Sequence, residues 1–287
     1  MIRKSLVLQI ILLLVVSNLF AAEIYCRYMQ NNQIYYGEVK GDKIHQLTKA
    51  PWENGNYSGE TVSLSEVRLL HPSEPKVIIG LSGSYKEAWQ DDQIPFKTVR
   101  WFLKPPSAAG SPGDNIVIPA SLDAIKVETE MVIVIGRKIK NGSLEEAKAA
   151  IFGYTVGNDI VGDGDSYHRI QGEPLDQTET LLGTMLKTGD NFAIYGPFIY
   201  RGVDWKNRLR RLSVSNPQTG EKETYEHNTS NLVYPPEKAV CDISRILTLS
   251  PGDIIFTGTT AAPVARAGDV VKISIEGLGE LENKVVK

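Results

Sequence analysis

Apolar positions along this chain come in short runs broken by glycine, proline, asparagine and aspartate, and few segments carry the three- and four-residue spacing of an amphipathic helix. From Lys76 onward the runs VIIG, NIVIP, EMVIVIG, FAIYGPFIY, DIIFTGT and DVVKISIEG read as strands. Upstream, EIYCRYMQ, IYYGEVK and KIHQLT alternate apolar with polar residues across NNQ and GDK, the punctuation of hairpins, and a short connector leads to HPSEP. The pattern predicts a mainly β (α+β) protein: a small N-terminal β-rich subdomain over residues 23–72 and a larger β-rich domain, closed or sandwiched, over residues 73–287. One helix stands out, because Ser143 followed by Glu146 forms a capping box ahead of AKAAIFGYTV. It is expected directly upstream of GNDIVGDGD.

Within the strand pattern, KVETEMVIVIG (residues 126–136) poses a chemical problem. Side chains alternate along a strand, so Glu128 and Glu130 share one face while Val127, Thr129 and Met131 share the other. Burying an unpaired carboxylate is costly, so something must meet the two charges. A third acid, Asp159, follows at the end of the apolar stretch GYTVGNDI, where a glycine-bounded turn would aim it inward. Three carboxylates without cysteine or clustered histidine suit a hard cation, Mg²⁺, Mn²⁺ or Ca²⁺, rather than zinc. The alternative is a wet face of an antiparallel strand, with Val132 and Val134 exposed beside the acids. Spacing alone leaves both open.

Composition narrows the class more than the function. The 287 residues, 42% apolar and 23% charged, are ordinary for a folded domain, and a net charge of −3 without a long basic block argues against nucleic acid as a partner. The N-terminus departs from this profile: Arg3 and Lys4 precede the apolar run LVLQIILLLVV, and Ala21 and Ala22 supply small residues for cleavage. Residues 1–22 therefore read as a signal peptide, giving a secreted or periplasmic protein with no stable membrane span after cleavage. The competing reading is an uncleaved anchor, for which the run is short against the roughly 20 residues of a span. Cys26 and Cys241 both remain in the mature chain, either as a disulfide in an oxidising compartment or as buried free thiols.

FLKPPSAAGSPGDNIVIP, ETEMVIVIG, GYTVGNDI, LKTGDNFAIYGPF and FTGTTAAPVARAGDVVKISIEGLGELENKVV, taken in this order, resemble the fumarylacetoacetate hydrolase family over about residues 76–287. The resemblance implies a mixed β-sandwich roll as catalytic domain, a homodimer, a bound Mg²⁺ or similar ion, and a small-molecule 2-oxo or 3-oxo carboxylic acid as substrate. Carried over by position, Glu128, Glu130 and Asp159 match the metal-binding acids, Lys187 the lysine lining the substrate site, and Thr259 the threonine that holds a substrate carboxylate. Lys187 would neutralise an oxyanion or, with its pKa lowered by burial, shuttle a proton. Tyr85 stands at the tyrosine place of the lid motif and is assigned to substrate binding.

The chain departs from the family where hydrolysis is prepared. Hydrolysing members carry G-x-N-Y-x-x-H-x-x-E, whose histidine and glutamate activate water; counting from Tyr85, Ala88 stands at the histidine place and Asp91 at the glutamate place. Where the family has S-A-R-D after its aspartate, this chain has Val161, Gly162, Asp163 and Gly164. His168 and Asp91 are the candidate replacement bases and Glu87 a further lid candidate. Asp163 and Asp165 read as turn residues, and His45, His71 and His227 have no motif around them. Decarboxylation and keto–enol tautomerisation need no delivered water and gain from these departures. Hydrolysis with a substituted base and non-catalytic carboxylate binding are the alternatives.

Overall fold

The computed structural model describes residues 22–89, 96–171 and 184–287; the expected signal segment through Ala21, and Asp91, lie outside the described residues. The N-terminal part is an antiparallel meander of β1 (Glu23–Gln30), β2 (Gln33–Lys40), β3 (Lys43–Leu47) and β4 (Tyr57–Ser63), followed by the short β5 (Arg68–Leu69). The chain continues through β6 (Ile78–Ser82), β7 (Arg100–Lys104), β8 (Ala109–Gly110), β9 (Ile116–Val117), β10 (Ile125–Lys126) and β11 (Thr129–Ile135). Helix α1 (Leu144–Ala150) leads into β12 (Ile151–Asp159), β13 (Val161–Gly162) and α2 (Gly164–Gln171). Then come β14 (Ala193–Tyr195), β15 (Phe198–Arg201), the hairpin β16 (Leu209–Ser215) and β17 (Lys222–Asn228), and α3 (Pro236–Ser244). Strands β18 (Ile254–Phe256), β19 (Val264–Ala265), β20 (Val270–Ile275) and β21 (Gly279–Val286) complete it.

A large mixed sheet runs in the order β4-β3-β2-β1-β15-β12-β11-β18-β6-β7, so the N-terminal meander continues the main sheet through the β1–β15 pair. A second sheet, β17-β16-β20-β21-β9, packs across it; Met131, Val156 and Ile194 of the large sheet meet Leu212, Val271, Ile273 and Leu281 of the second. Farther along β11, Ile133 and Ile135 lie instead under α1 and α3, against Ala147, Ala239, Val240 and Ile243. The opposite face of β11 carries Val132 and Val134, packed on Tyr195, Ile199 and Phe256. Every residue of β11 is therefore buried. Each of its β-branched side chains contributes about 1.5–3 kcal/mol by leaving water. The wet-face alternative for Glu128 and Glu130 is excluded.

The capping box forms as expected: Ser143 Oγ accepts from the Glu146 amide at 3.2 Å, and Glu146 Oε2 accepts from the Ser143 amide at 2.8 Å. The helix does not run on to GNDIVGDGD. It stops at Ala150, and Ile151 opens a nine-residue strand. Gly153 lets that strand lie close to its neighbour, since a Cβ there would sit 2.6 Å from the Tyr200 carbonyl oxygen. Cys26 in β1 and Cys241 in α3 are separate buried free thiols in different apolar clusters.

The junction between the meander and the rest of the chain holds a half-buried imidazole. The His71 Nδ1 lies 3.1 Å from Ser111 Oγ and its Nε2 is 3.5 Å from Arg27 Nη1, while Arg27 is itself ion-paired with Glu74. Burial, then the adjacent Arg27 cation, push the imidazole down to about 4. Between pH 6.5 and 4 the unfolded chain carries a proton on His71 that the folded chain rejects, so stability falls as the pH drops through that window. The loss should reach about 3 kcal/mol at the acid end, at about 1.4 kcal/mol per pH unit. Urea melts at pH 7 and pH 4.5 should show this loss in the wild-type chain and a smaller one in His71→Gln. Equal losses would remove His71 from the account.

Candidate active site

Glu130 is the second residue of β11 and Asp159 the last of β12, and antiparallel pairing of Thr129 with Asn158 brings them to the same end of the sheet. Glu128 precedes the strand and is tied into it: its amide donates to Asn158 Oδ1 at 3.0 Å, and its carbonyl accepts from the Asp159 amide at 3.2 Å. One carboxylate oxygen from each acid lies within 4.8 Å of the others. The Glu130 carboxylate also accepts the Gly258 amide at 2.5 Å. Gly258 has φ +89°, and a Cβ there would fall 2.1 Å from Ser84 Oγ, so this turn requires glycine.

Two lysines meet the acids. Lys187 Nζ donates to Glu128 at 2.7 Å and to Asp159 at 2.9 Å. Lys104, at the end of β7, has a side chain with no exposure; its Nζ pairs with the other Asp159 oxygen and donates to the Ile160 carbonyl at 3.0 Å. Burial pushes Glu128 and, far more, Glu130 toward the neutral form, with Asp159 adding to both shifts. Burial pushes Asp159 up too, but Lys104 and Lys187 outweigh it and hold its carboxyl below the usual range. For Lys187, burial works against the cation and the surrounding acids outweigh it, so its pKa rises. The proton-shuttling role that depended on a lowered Lys187 pKa is not supported; burial lowers that of Lys104 instead.

Oxygen donors of three acids, gathered in one buried cluster, match the preference of a hard divalent cation. With all three acids ionised, three carboxylates face two ammonium groups; a divalent ion would supply the missing positive charge and offset the burial that otherwise pushes Glu130 toward its neutral form.

The other expected residues are distributed less simply. Tyr85 is fully buried, its ring beneath the Arg210 guanidinium at 4.0 Å. Thr259 adjoins Gly258 and so borders the acids, yet its hydroxyl makes a local turn bond to the Ala261 carbonyl at 3.2 Å. His168 is buried on α2, its ring edge-on to Tyr167 at 6.1 Å. Asp163 caps that helix by accepting the Ser166 amide and pairs with Lys126 at 3.2 Å, so it acts as a turn residue. Ala88 is exposed on the turn after Tyr85, and Glu87 beside it bonds Asn231. Lys104 was not singled out from the sequence; the available signal was a lysine set among Trp101, Phe102 and Leu103 directly before Pro105.

A mixed β roll with acids gathered at the shared end of two buried strands and lysines closing over them defines a carboxylate cluster with the donor set to hold a metal ion. The chain belongs to the fumarylacetoacetate hydrolase family, matching the fumarylacetoacetate (FAA) hydrolase C-terminal family over residues 78–286. Residues 25–72 match the Rv2993c-like N-terminal family. A Dictyostelium discoideum fumarylacetoacetate hydrolase domain-containing protein 2 homolog is 31% identical, covering 80% of this chain and 78% of that protein. A Xenopus laevis protein named oxaloacetate tautomerase fahd2, mitochondrial, is 30% identical, covering 86% and 76%. The crystal structure of 5-carboxymethyl-2-hydroxymuconate delta-isomerase from Mycobacterium smegmatis superposes with a TM-score of 0.77 at 30% identity, covering 92% of this chain and 99% of that one.

Proposed function

We propose that this chain is a divalent-cation-dependent enzyme that interconverts the keto and enol forms of 2-oxo carboxylates, with decarboxylation of a 3-oxo acid as its related reaction. The observation that carries the reading is the buried cluster of Glu128, Glu130, Asp159, Lys104 and Lys187 beside a lid turn that has Ala88 where a water-activating histidine would stand. The names of the tautomerase and isomerase relatives support it. Glu128, Glu130 and Asp159 would hold Mg²⁺ or Mn²⁺, which when bound stabilises negative charge on an oxo-acid oxygen. Lys187, held cationic by the acids, is assigned to the same developing charge. Thr259 is assigned to the substrate carboxylate, for which it would exchange its turn bond. Moving a proton between carbon and oxygen requires a group to carry the proton but no nucleophilic water, so this chemistry depends less than hydrolysis does on a lid histidine.

The test is the ketonisation of enol-oxaloacetate followed by its ultraviolet absorbance, with Mg²⁺, with Mn²⁺ and with EDTA. Metal-dependent acceleration that disappears in Glu130→Gln is expected. An enzyme-independent rate with metal present would overturn the reading.

The same proposal includes export and a homodimer. Among the described residues no helix is long and apolar enough to cross a membrane. Edman sequencing of protein recovered from the native host's medium or periplasm should find a mature start near Ala22 or Glu23; intact Met1 in soluble cytosol would overturn export. Sedimentation should give twice the mass of the mature chain.

A further inference from the structure

We infer that Arg210 is a positioning residue: its guanidinium locks the strand bearing Glu130 to the Gly258–Thr259 turn, and so sets the geometry of the cation site and of the substrate carboxylate site. The inference rests on the proposed function for what that geometry serves, and on the structure for the lock itself.

Arg210 lies in β16 on the inward face that it shares with Leu212 and Val214, a core position at which the pattern calls for an apolar residue. It is 1% exposed, and no carboxylate lies within ion-pair distance among the described residues. A buried cation without an anion is retained only where something else compensates it. Here the ring of Tyr85 lies 4.0 Å below the guanidinium carbon, and Nη1 donates to two backbone carbonyls, Thr129 at 2.9 Å and Gly258 at 3.1 Å.

Those two carbonyls bracket the site. The Thr129 carbonyl belongs to the peptide that joins Thr129 to Glu130. The Gly258 carbonyl belongs to the peptide that joins Gly258 to Thr259, and the Gly258 amide donates to the Glu130 carboxylate. One guanidinium group of the second sheet therefore ties together the backbone of a cation-binding acid and the backbone of the substrate-binding turn. Among the described residues Nε and Nη2 have no hydrogen-bond partner, so the bonds of Nη1 and the stacking on Tyr85 are the contacts through which the group acts. Lysine cannot substitute: its ammonium reaches less far and has no planar face to lie on the ring.

The experiment compares the wild-type full chain with Arg210→Lys and Arg210→Gln, each of which retains a donor. Calorimetric Mn²⁺ affinity should fall about 10- to 100-fold in both, the range seen when groups that orient metal ligands are replaced. KM for enol-oxaloacetate should rise about tenfold with a smaller change in kcat, and hydrogen exchange should quicken in the peptide spanning Gly258 to Thr260. Lower thermal stability with unchanged Mn²⁺ affinity, KM and exchange would make Arg210 a packing residue and overturn the inference. Should neither variant fold, the wild-type chain still decides by NMR: resolved, slowly exchanging Arg210 Nη protons that shift when Mg²⁺ is added support the lock, and averaged, Mg²⁺-insensitive ones overturn it. A wild-type chain that binds Mn²⁺ but turns over no oxo acid would defeat the proposed function, while the affinity and exchange arms still judge Arg210.

Discussion

Asp159→Asn should abolish tight binding of Mg²⁺ or Mn²⁺ and also weaken the metal-free fold, because this one carboxylate answers two lysines, one of them fully buried. Lys104 pairs with one of its oxygens and Lys187 with the other, and Asp159 is the only carboxylate paired with Lys104 among the described residues. Removing one partner of a buried ion pair strands the other charge and costs about 3–5 kcal/mol. An amide also lacks the anionic oxygen a hard cation prefers, so affinity should fall at least about 100-fold, beyond the loss typical of groups behind the ligands. The two effects separate in the double variant Lys104→Met with Asp159→Asn. Most of the lost stability should return there, since the stranded cation is gone, while metal binding stays lost. Glu130→Gln provides the contrast: burial already favours the neutral acid, and the amide oxygen can still accept from Gly258, so stability should change little while affinity falls. Calorimetry and urea melts on the three variants check all of this. Unchanged affinity in Asp159→Asn would mean that the cluster is an ion-pair network and not a cation site.

The second large effect concerns reaction type. With Mg²⁺ present, ketonisation or decarboxylation of oxaloacetate should exceed hydrolysis of an acylpyruvate, because a positioned base for water is typically worth about 10²–10⁴ in rate and Ala88 offers none. Introducing Ala88→His together with Asp91→Glu should raise acylpyruvate hydrolysis while leaving ketonisation within a few-fold. Parallel steady-state assays on both substrates measure the ratio. Efficient hydrolysis by the unmodified chain that persists in His168→Ala and Asp91→Asn would sink the expectation; loss of that hydrolysis in His168→Ala would instead identify the substitute base.

Most strand segments were legible because their signals are local. The β-branched run from Met131 to Ile135, the alternation in β20 and the glycine-punctuated turns act through backbone sterics and nearest neighbours, and each produced the element expected. The capping box of Ser143 did the same for the start of α1. The end of that helix was harder to read. Ala147, Ala150 and the residues after them suit either state by pattern, and the change to strand at Ile151 follows from pairing with β11 and β15, more than a local window can hold.

The sequence by itself determined the strand-rich architecture and the family, and it singled out Glu128, Glu130, Asp159 and Lys187 as candidates, because ordered motifs and side-chain alternation do not depend on what packs above them. Tertiary structure alone decided whether those acids stood in water or in the core. The strand of Glu130 is covered on one face by the second sheet and α3, and on the other by Tyr195, Ile199 and Phe256. It also decided which cations meet them, since Lys104 reaches Asp159 across 55 residues and Arg210 reaches Thr129 across 81. Such pairs are created by sheet order, and neither partner's neighbours in the chain carry a sign of the other. The charge state of Lys187 follows the same logic: burial favours the neutral amine, and only the convergence of acids from β11, β12 and the turn before them keeps it cationic.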